Sequence, residues 1–206
     1  MAIKRYIADA DTTITNAYRA NLRTRGTGAN MGASDILETF SIYGQASGST
    51  GLSSELSRIL IKFPVTDMST DRTAGTIPAS GSIKWVLRMY NAEHGQTLPR
   101  DFTLNVYPVS RNWEEGTGLD MEEYTDLTND EVGANWENAG KNSQWSTVGG
   151  DFTVTGSGES DAKAYTFNFP KGHENLELDI SELVEEWIDG GSVSNYGVMV
   201  FLSGTQ

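Results

Sequence analysis

Apolar residues recur at every second position in several stretches of this chain, a pattern that predicts β-strands buried on one face. In Arg58-Ile-Leu-Ile-Lys-Phe63, Ile59, Ile61 and Phe63 fall on one side while Arg58 and Lys62 fall on the other. From Ser82 to Tyr90 the inward set is Ile83, Trp85, Leu87 and Met89. Phe102, Leu104 and Val106 alternate with Thr103, Asn105 and Tyr107. Tyr165, Phe167 and Phe169 repeat the pattern, as do Tyr196, Val198, Val200 and Leu202. Stretches rich in Gly, Ser and Thr (Gly44 to Ser54, Asp71 to Gly81, Gly149 to Asp161) read as the joints between strands. This many alternating strands in one chain predict an all-β, antiparallel sandwich or barrel. The 206 residues fit a single domain with a substantial core.

One segment departs from the two-residue period. Between Asp179 and Gly190 the apolar positions are Ile180, Leu183, Val184, Trp187 and Ile188, the stripe of an amphipathic helix. Asp179 stands where an amino-terminal cap belongs, and Glu182 completes the spacing of a capping box. Gly190 supplies a left-handed stop. The expected element is a short helix near 179–189, covering an open end of the sandwich.

Composition narrows the chemistry. The absence of cysteine excludes disulfides, thiolate catalysis and Cys-ligated metals. With His94 and His173 as the complete set of histidines, a His-rich metal site is excluded as well, and no cofactor is expected. A net charge of −13 argues against nucleic acid as a partner, because neutralising phosphates needs a basic face. No window approaches the ~20 apolar residues of a membrane helix. Lys4 and Arg5 are followed by Asp9 and Asp11 rather than an apolar run, so the chain is expected not to be exported by a signal peptide. Charge is also unevenly distributed. Lys4, Arg5, Arg19, Arg23 and Arg25 make the first stretch basic, whereas Glu174, Glu177, Asp179, Glu182, Glu185, Glu186 and Asp189 make the last acidic. The simple reading is a solvated acidic face. The sharper one is that the basic stretch docks on an acidic surface of the same or a neighbouring copy.

An ordered series of short motifs runs along the chain. It begins with Asn30-Met-Gly-Ala-Ser-Asp35 and Ser57-Arg-Ile-Leu-Ile-Lys-Phe63, and continues with Ile83-Lys-Trp-Val-Leu-Arg-Met-Tyr90. Leu104-Asn-Val-Tyr-Pro-Val-Ser-Arg-Asn-Trp-Glu-Glu-Gly116 and Gly133-Ala-Asn-Trp-Glu-Asn138 follow. Trp145 with Gly149-Gly-Asp151, the run Leu178 to Trp187, and Asn195-Tyr-Gly197 complete it. Taken in this order, from about Asn30 to Leu202, the series resembles the DNRLRE domain family. That resemblance implies a jelly-roll β-sandwich similar to carbohydrate-binding modules. Members of the family usually continue past the Asn-Tyr-Gly strand, so an unfilled sheet edge open to a neighbouring strand is a further expectation.

Trp113, Trp136 and Trp145 lie in or beside an acidic, loop-like region, where aromatic rings beside Asn, Asp and Glu could grip a glycan. Their place in the recurring motifs favours core packing instead. Glu114, Glu115, Glu122 and Glu123 could form a glycosidase pair or a calcium cage, but a charge run in a loop is more often solvated surface, and no calcium-loop motif supports it. His94 and His173 sit in loops without a nucleophile elbow, so no enzyme and no catalytic residue is expected. The function expected is that of a structural virion protein: a bacteriophage capsid-decoration, neck or tail component. It would bind copies of itself and other virion proteins, and be made in the host cytoplasm. Residues 1–50, rich in Thr, Ala, Gly and Asn, would form an extended arm. The alternative is an extracellular or surface carbohydrate-binding module recognising cell-surface glycans.

Overall fold

A computed structural model describes residues 3–48, 51–93, 95, 99–119, 133–153 and 163–204. In chain order the elements are β1 (Ala10–Thr15), β2 (Ser41–Gly48), β3 (Gly51–Lys62), α1 (Val65–Thr73), β4 (Val86–Met89) and β5 (Phe102–Pro108). There follow β6 (Asn138–Gly140), β7 (Ser143–Gln144), β8 (Tyr165–Phe169), β9 (Leu176–Asp179), α2 (Ser181–Asp189) and β10 (Val198–Leu202). The described residues are thus mostly antiparallel β-structure with two helices. None of their helices is long and apolar enough to cross a membrane.

Six strands form the main sheet, in the order β1-β3-β10-β5-β8, with β2 paired to β3 outside that path. Alternation along β3, β5 and β10 sends Ile59, Ile61, Leu104, Val106, Val198 and Val200 into one core, together with Leu87 of β4 and Leu176 of β9. The helix α2 adds Leu183, Val184 and Trp187 to this core, matching the stripe the sequence predicts. Its carboxyl end is Gly190 at φ 71°, also as expected. Its amino end differs: Ile180 is the cap residue and makes no side-chain cap bond. Asp179 stands one place earlier, and its Oδ1 accepts the Ser181 N–H at 3.1 Å.

The strands β3 and β10 are not wet on their second face. Leu60 and Met199 are wholly buried, and with Ile14, Leu56 and Phe201 they form a second core roofed by the three tryptophans. Arg58, expected in solvent, lies in this layer. Its guanidinium sits 5.1 Å from the Trp136 ring and 5.2 Å from that of Phe201, and its Nη1 donates to the Gly149 carbonyl at 2.8 Å. Burial holds its pKa below the ordinary arginine value, and the facing rings supply the compensating cation–π attraction. At β3 and β10 the sheet is therefore packed on both sides, whereas Thr166 and Asn168 on the second face of β8 are exposed.

The described part of the expected arm, residues 3–48, is not free of the body. β1 pairs in register with β3 from Ala10↔Lys62 to Thr15↔Ser57, and Ala29, Asn30 and Met31 are essentially inaccessible to solvent. At the chain's start, Lys4 forms an ion pair with Asp71 of α1, and the Tyr6 hydroxyl donates to the same carboxylate at 2.6 Å. Part of the basic first stretch thus docks on an acidic group of its own chain.

The Gly/Ser-rich stretch from Gly44 to Ser54, expected as a joint, is instead the body of a hairpin. β2 and β3 pair from Ser41↔Leu56 to Gly48↔Gly51, with a bulge between Tyr43 and Ser47 where Gly44 takes φ 82°. β3 meets β1 and β10 only from Ser57 onward. Among the described residues, its first six, roughly 20 Å of strand, pair with β2 alone of the strands. Ser41, Ile42, Tyr43 and Ser54 are exposed.

Candidate functional site

The motif segments converge on the second core. Asn30, 1% exposed, makes four hydrogen bonds through its side-chain amide. Its Nδ2 donates to the carbonyls of Glu115 and Ala134, each at 2.8 Å. Its Oδ1 accepts the N–H groups of Gly32 at 3.2 Å and Gly118 at 2.8 Å. Three loop segments distant in sequence are knotted on one amide whose hydrogen-bonding capacity is fully used. The glycines admit the approach: a Cβ on Gly32 would lie 2.0 Å from the Glu115 carbonyl oxygen, and one on Gly118 would lie 2.1 Å from that of Asn30.

Trp113, Trp136 and Trp145 are 4%, 7% and 5% exposed. Trp113 Nε1 donates to the Tyr196 carbonyl and Trp145 Nε1 to that of Asn135, both at 2.8 Å. A sugar would need an open ring face, and these rings turn theirs to protein. They are core residues here, in line with the packing that their place in the motifs favours. Glu115 accepts the Asp11 N–H at 2.9 Å and Glu114 the Lys141 N–H at 3.1 Å, so both carboxylates brace backbone. His173 is exposed, while His94, Glu122 and Glu123 lie outside the described residues. Among the described residues no group of three or more His, Asp or Glu could hold a metal ion.

A shallow polar cleft of about 330 Å³ lies over this layer, lined by Ser110, Arg111, Ser146, Thr147, Gly150, Asp151 and Phe152. Its charged groups face each other. Asp151 accepts the Arg111 Nε–H and the Ser146 and Thr147 backbone N–H groups, all at 2.9 Å. Burial alone would raise the Asp151 pKa, but these donors outweigh it and hold the carboxyl below its ordinary range. The arrangement clamps the turn that carries Gly149 and Gly150.

A second polar cluster ties α1 to α2. Arg72 makes a two-pronged pair with Glu185, both contacts at 2.6 Å, and Trp85 Nε1 donates to the same carboxylate at 2.7 Å. Burial raises the Glu185 pKa, yet the hydrogen bonds from Arg72 and Trp85 prevail and lower it. At Asp71 the Lys4 ammonium is the largest influence and also lowers the pKa. Burial pushes the tyrosines Tyr6 and Tyr165 up to about 12.

These shifts define a pH profile. Carboxyls with lowered folded-state pKa values stabilise the fold above their unfolded value near 4, and that contribution disappears as acid protonates them. Tyrosines with raised values stabilise it below about pH 10 and cease to do so between about 10 and 12. Asp11, raised by burial and by Glu115, opposes the acid trend as a single group. The urea midpoint is expected to be level from about pH 5 to 9 and to fall on both sides. A maximum near pH 3 would contradict these assignments.

No family model, curated protein or solved structure matches this chain.

The most conspicuous surface feature is the β2–β3 ribbon. From Thr39 to Ser54 no residue carries a charge, although the chain as a whole is at −13. Tyr43 is 73% exposed at its base, and neighbouring Ile42 is 40% exposed. Sequence reasoning missed this element because Gly, Ser and Thr spell a loop. The signal that could have found it was the long run without charge between Glu38 and Glu55.

Proposed function

We propose that this chain is a non-enzymatic structural protein that acts by docking into an assembly. On this reading it is a decoration, neck or tail component of a bacteriophage particle built on a sandwich of jelly-roll type. The observation that carries it is the β2–β3 ribbon, a strand pair without charge from Thr39 to Ser54 in an acidic protein, with Ile42 and Tyr43 exposed at its base. Exposed strand edges normally carry charge or proline to prevent pairing with other chains, and this one carries neither. The resemblance to surface-displayed modules is consistent with that role, and so is the use of the conspicuous Trp, Asn and Glu residues inside the fold.

The test replaces Tyr43–Ser54 with Asn-Gly, a two-residue turn closed by Ile42↔Glu55 that shortens the ribbon and spares the base pair Ser41↔Leu56. The shortened chain is expected to keep its circular dichroism spectrum and thermal midpoint, yet to be absent from phage particles purified from the chain's own source. Incorporation at the wild-type level, or absence of the wild-type chain from the particles, would overturn the proposal.

A further inference from the structure

Residues 3–8 are held to the body by their side chains. They belong to no helix or strand, and among the described residues the first backbone hydrogen bond on this side of β1 runs from the Asp9 N–H to the Lys62 carbonyl, at 3.0 Å. Lys4 and Tyr6 both end on the Asp71 carboxylate, and the Tyr6 ring lies 5.9 Å from that of Trp85. Ile3 and Ile7 point away and are 82% and 84% exposed. Independently of the ribbon, we propose that residues 3–8 are an exchangeable strap. Hinged at Asp9, it leaves its own α1 and latches onto Asp71 and Trp85 of a second copy.

The fit that the chain already shows selects this occupant. The seat is built without the strap. Trp85 donates its backbone N–H to Ser181 Oγ at 2.8 Å and its Nε1–H to Glu185 at 2.7 Å, and Arg72 fixes Glu185 in turn. A vacated seat therefore keeps its shape, and the strap of a second copy meets the same carboxylate and the same ring. Charge agrees: residues 3–8 carry Lys4 and Arg5 and no acidic group, in a chain of −13, and the seat draws on α1 and the acidic helix α2. Opening breaks side-chain contacts but no strand pairing, a local release that does not need global unfolding. Exchange replaces each broken contact with an identical one, so the two arrangements differ mainly in effective concentration. A chain in dilute solution keeps its own strap, whereas copies crowded in an assembly share theirs.

Two charge-reversed full-length variants, Lys4→Glu and Asp71→Lys, test this by sedimentation velocity. In each alone, strap and seat carry like charge both within a chain and between copies, so each is expected to stay monomeric. Mixed in equal amounts, each variant offers the other a seat of opposite charge. The mixture is expected to sediment faster than either component as concentration rises, and added salt should weaken the association several-fold. Tyr6→Ala placed in both variants should abolish it. Circular dichroism checks that the variants are folded. A peptide of residues 3–9, titrated into the Lys4→Glu chain, gives a readout that does not depend on the folding of Asp71→Lys. It should shift the NMR signal of the Trp85 indole N–H, and its Tyr6→Ala form should not. A mixture that sediments like its components at every concentration, an association indifferent to Tyr6→Ala, or a Trp85 signal unmoved by the peptide would overturn the exchange. The seat lies past the Lys62 end of β3 and the ribbon at the other end, so shortening the ribbon should leave this association unchanged. Failure of the exchange and failure of the docking role are therefore separate results.

Discussion

Asn30→Asp is expected to cost roughly 4 kcal/mol or more, a large fraction of the stability of an ordinary domain. The wild-type amide gives two protons to the Glu115 and Ala134 carbonyls and receives two from Gly32 and Gly118. A carboxylate can still accept the latter pair, but it would set negative charge against two carbonyl oxygens at a site 1% exposed. Protonation relieves one of those clashes, so the variant should regain part of its stability as pH falls toward 5. That direction is opposite to the acid limb of the wild-type chain. Urea denaturation followed by tryptophan fluorescence reads both effects, because Trp113, Trp136 and Trp145 lie in the same layer. A midpoint within experimental error of wild type at pH 7 would show that the Asn30 knot does not hold the layer together.

Gly197→Ala is expected to be of similar severity for a different reason. Gly197 has φ 82°, and a Cβ there would lie 2.0 Å from the Ile61 carbonyl oxygen. The added methyl thus meets both a disfavoured backbone region and a fixed backbone atom. Relief requires β10 to move away from β3 at the register Val198↔Ile61, which lies between the two cores. A loss of more than about 4 kcal/mol is expected, with Gly190→Ala as the comparison. Gly190 has φ 71° but open space around its Cβ, so only the conformational cost of about 1 kcal/mol applies there. Equal urea midpoints for the two variants would contradict the close-approach argument.

Much of the main sheet was legible because burial on the first face follows the two-residue period. Leu87, Leu104, Val106, Phe169, Val198 and Val200 all lie inward where alternation places them. The helix α2 was equally clear, since a five-residue apolar stripe has few other readings. What escaped detection was built from polar or small residues. β1 is Ala-Asp-Thr-Thr-Ile-Thr, yet Thr12, Thr13 and Thr15 are wholly buried. Two of their hydroxyls take backbone partners distant in sequence: Thr15 donates to the Leu56 carbonyl at 2.8 Å, and Thr13 accepts the Glu38 N–H at 3.0 Å. The helix α1 buries only Val65 and Met68 and starts behind Pro64, so its stripe is too thin to read.

The second core was the larger omission, and its physical cause is specific. Arg58 and Tyr107 mark a wet face by type, but a guanidinium among aromatic rings and a tyrosine edge-on to Phe201 at 5.2 Å are tolerated inside. For the same reason the tryptophans were ambiguous. Their spacing in the motifs pointed to packing, whereas their acidic neighbours pointed to a ligand. Only the location of Tyr196 and Asn135 carbonyls beside the indole N–H groups of Trp113 and Trp145 decides between the two.

The division of labour between a motif-built core and an uncharged ribbon is tested most directly by amide hydrogen exchange, comparing the free chain with the chain in the assembly that the proposed role requires, a phage particle. The account predicts slower exchange on assembly in β2 and the first half of β3, with the layer around Trp113, Trp136 and Trp145 unchanged. Protection appearing instead along the Arg111–Asp151 cleft, with the ribbon exchanging as fast as in the free chain, would contradict it.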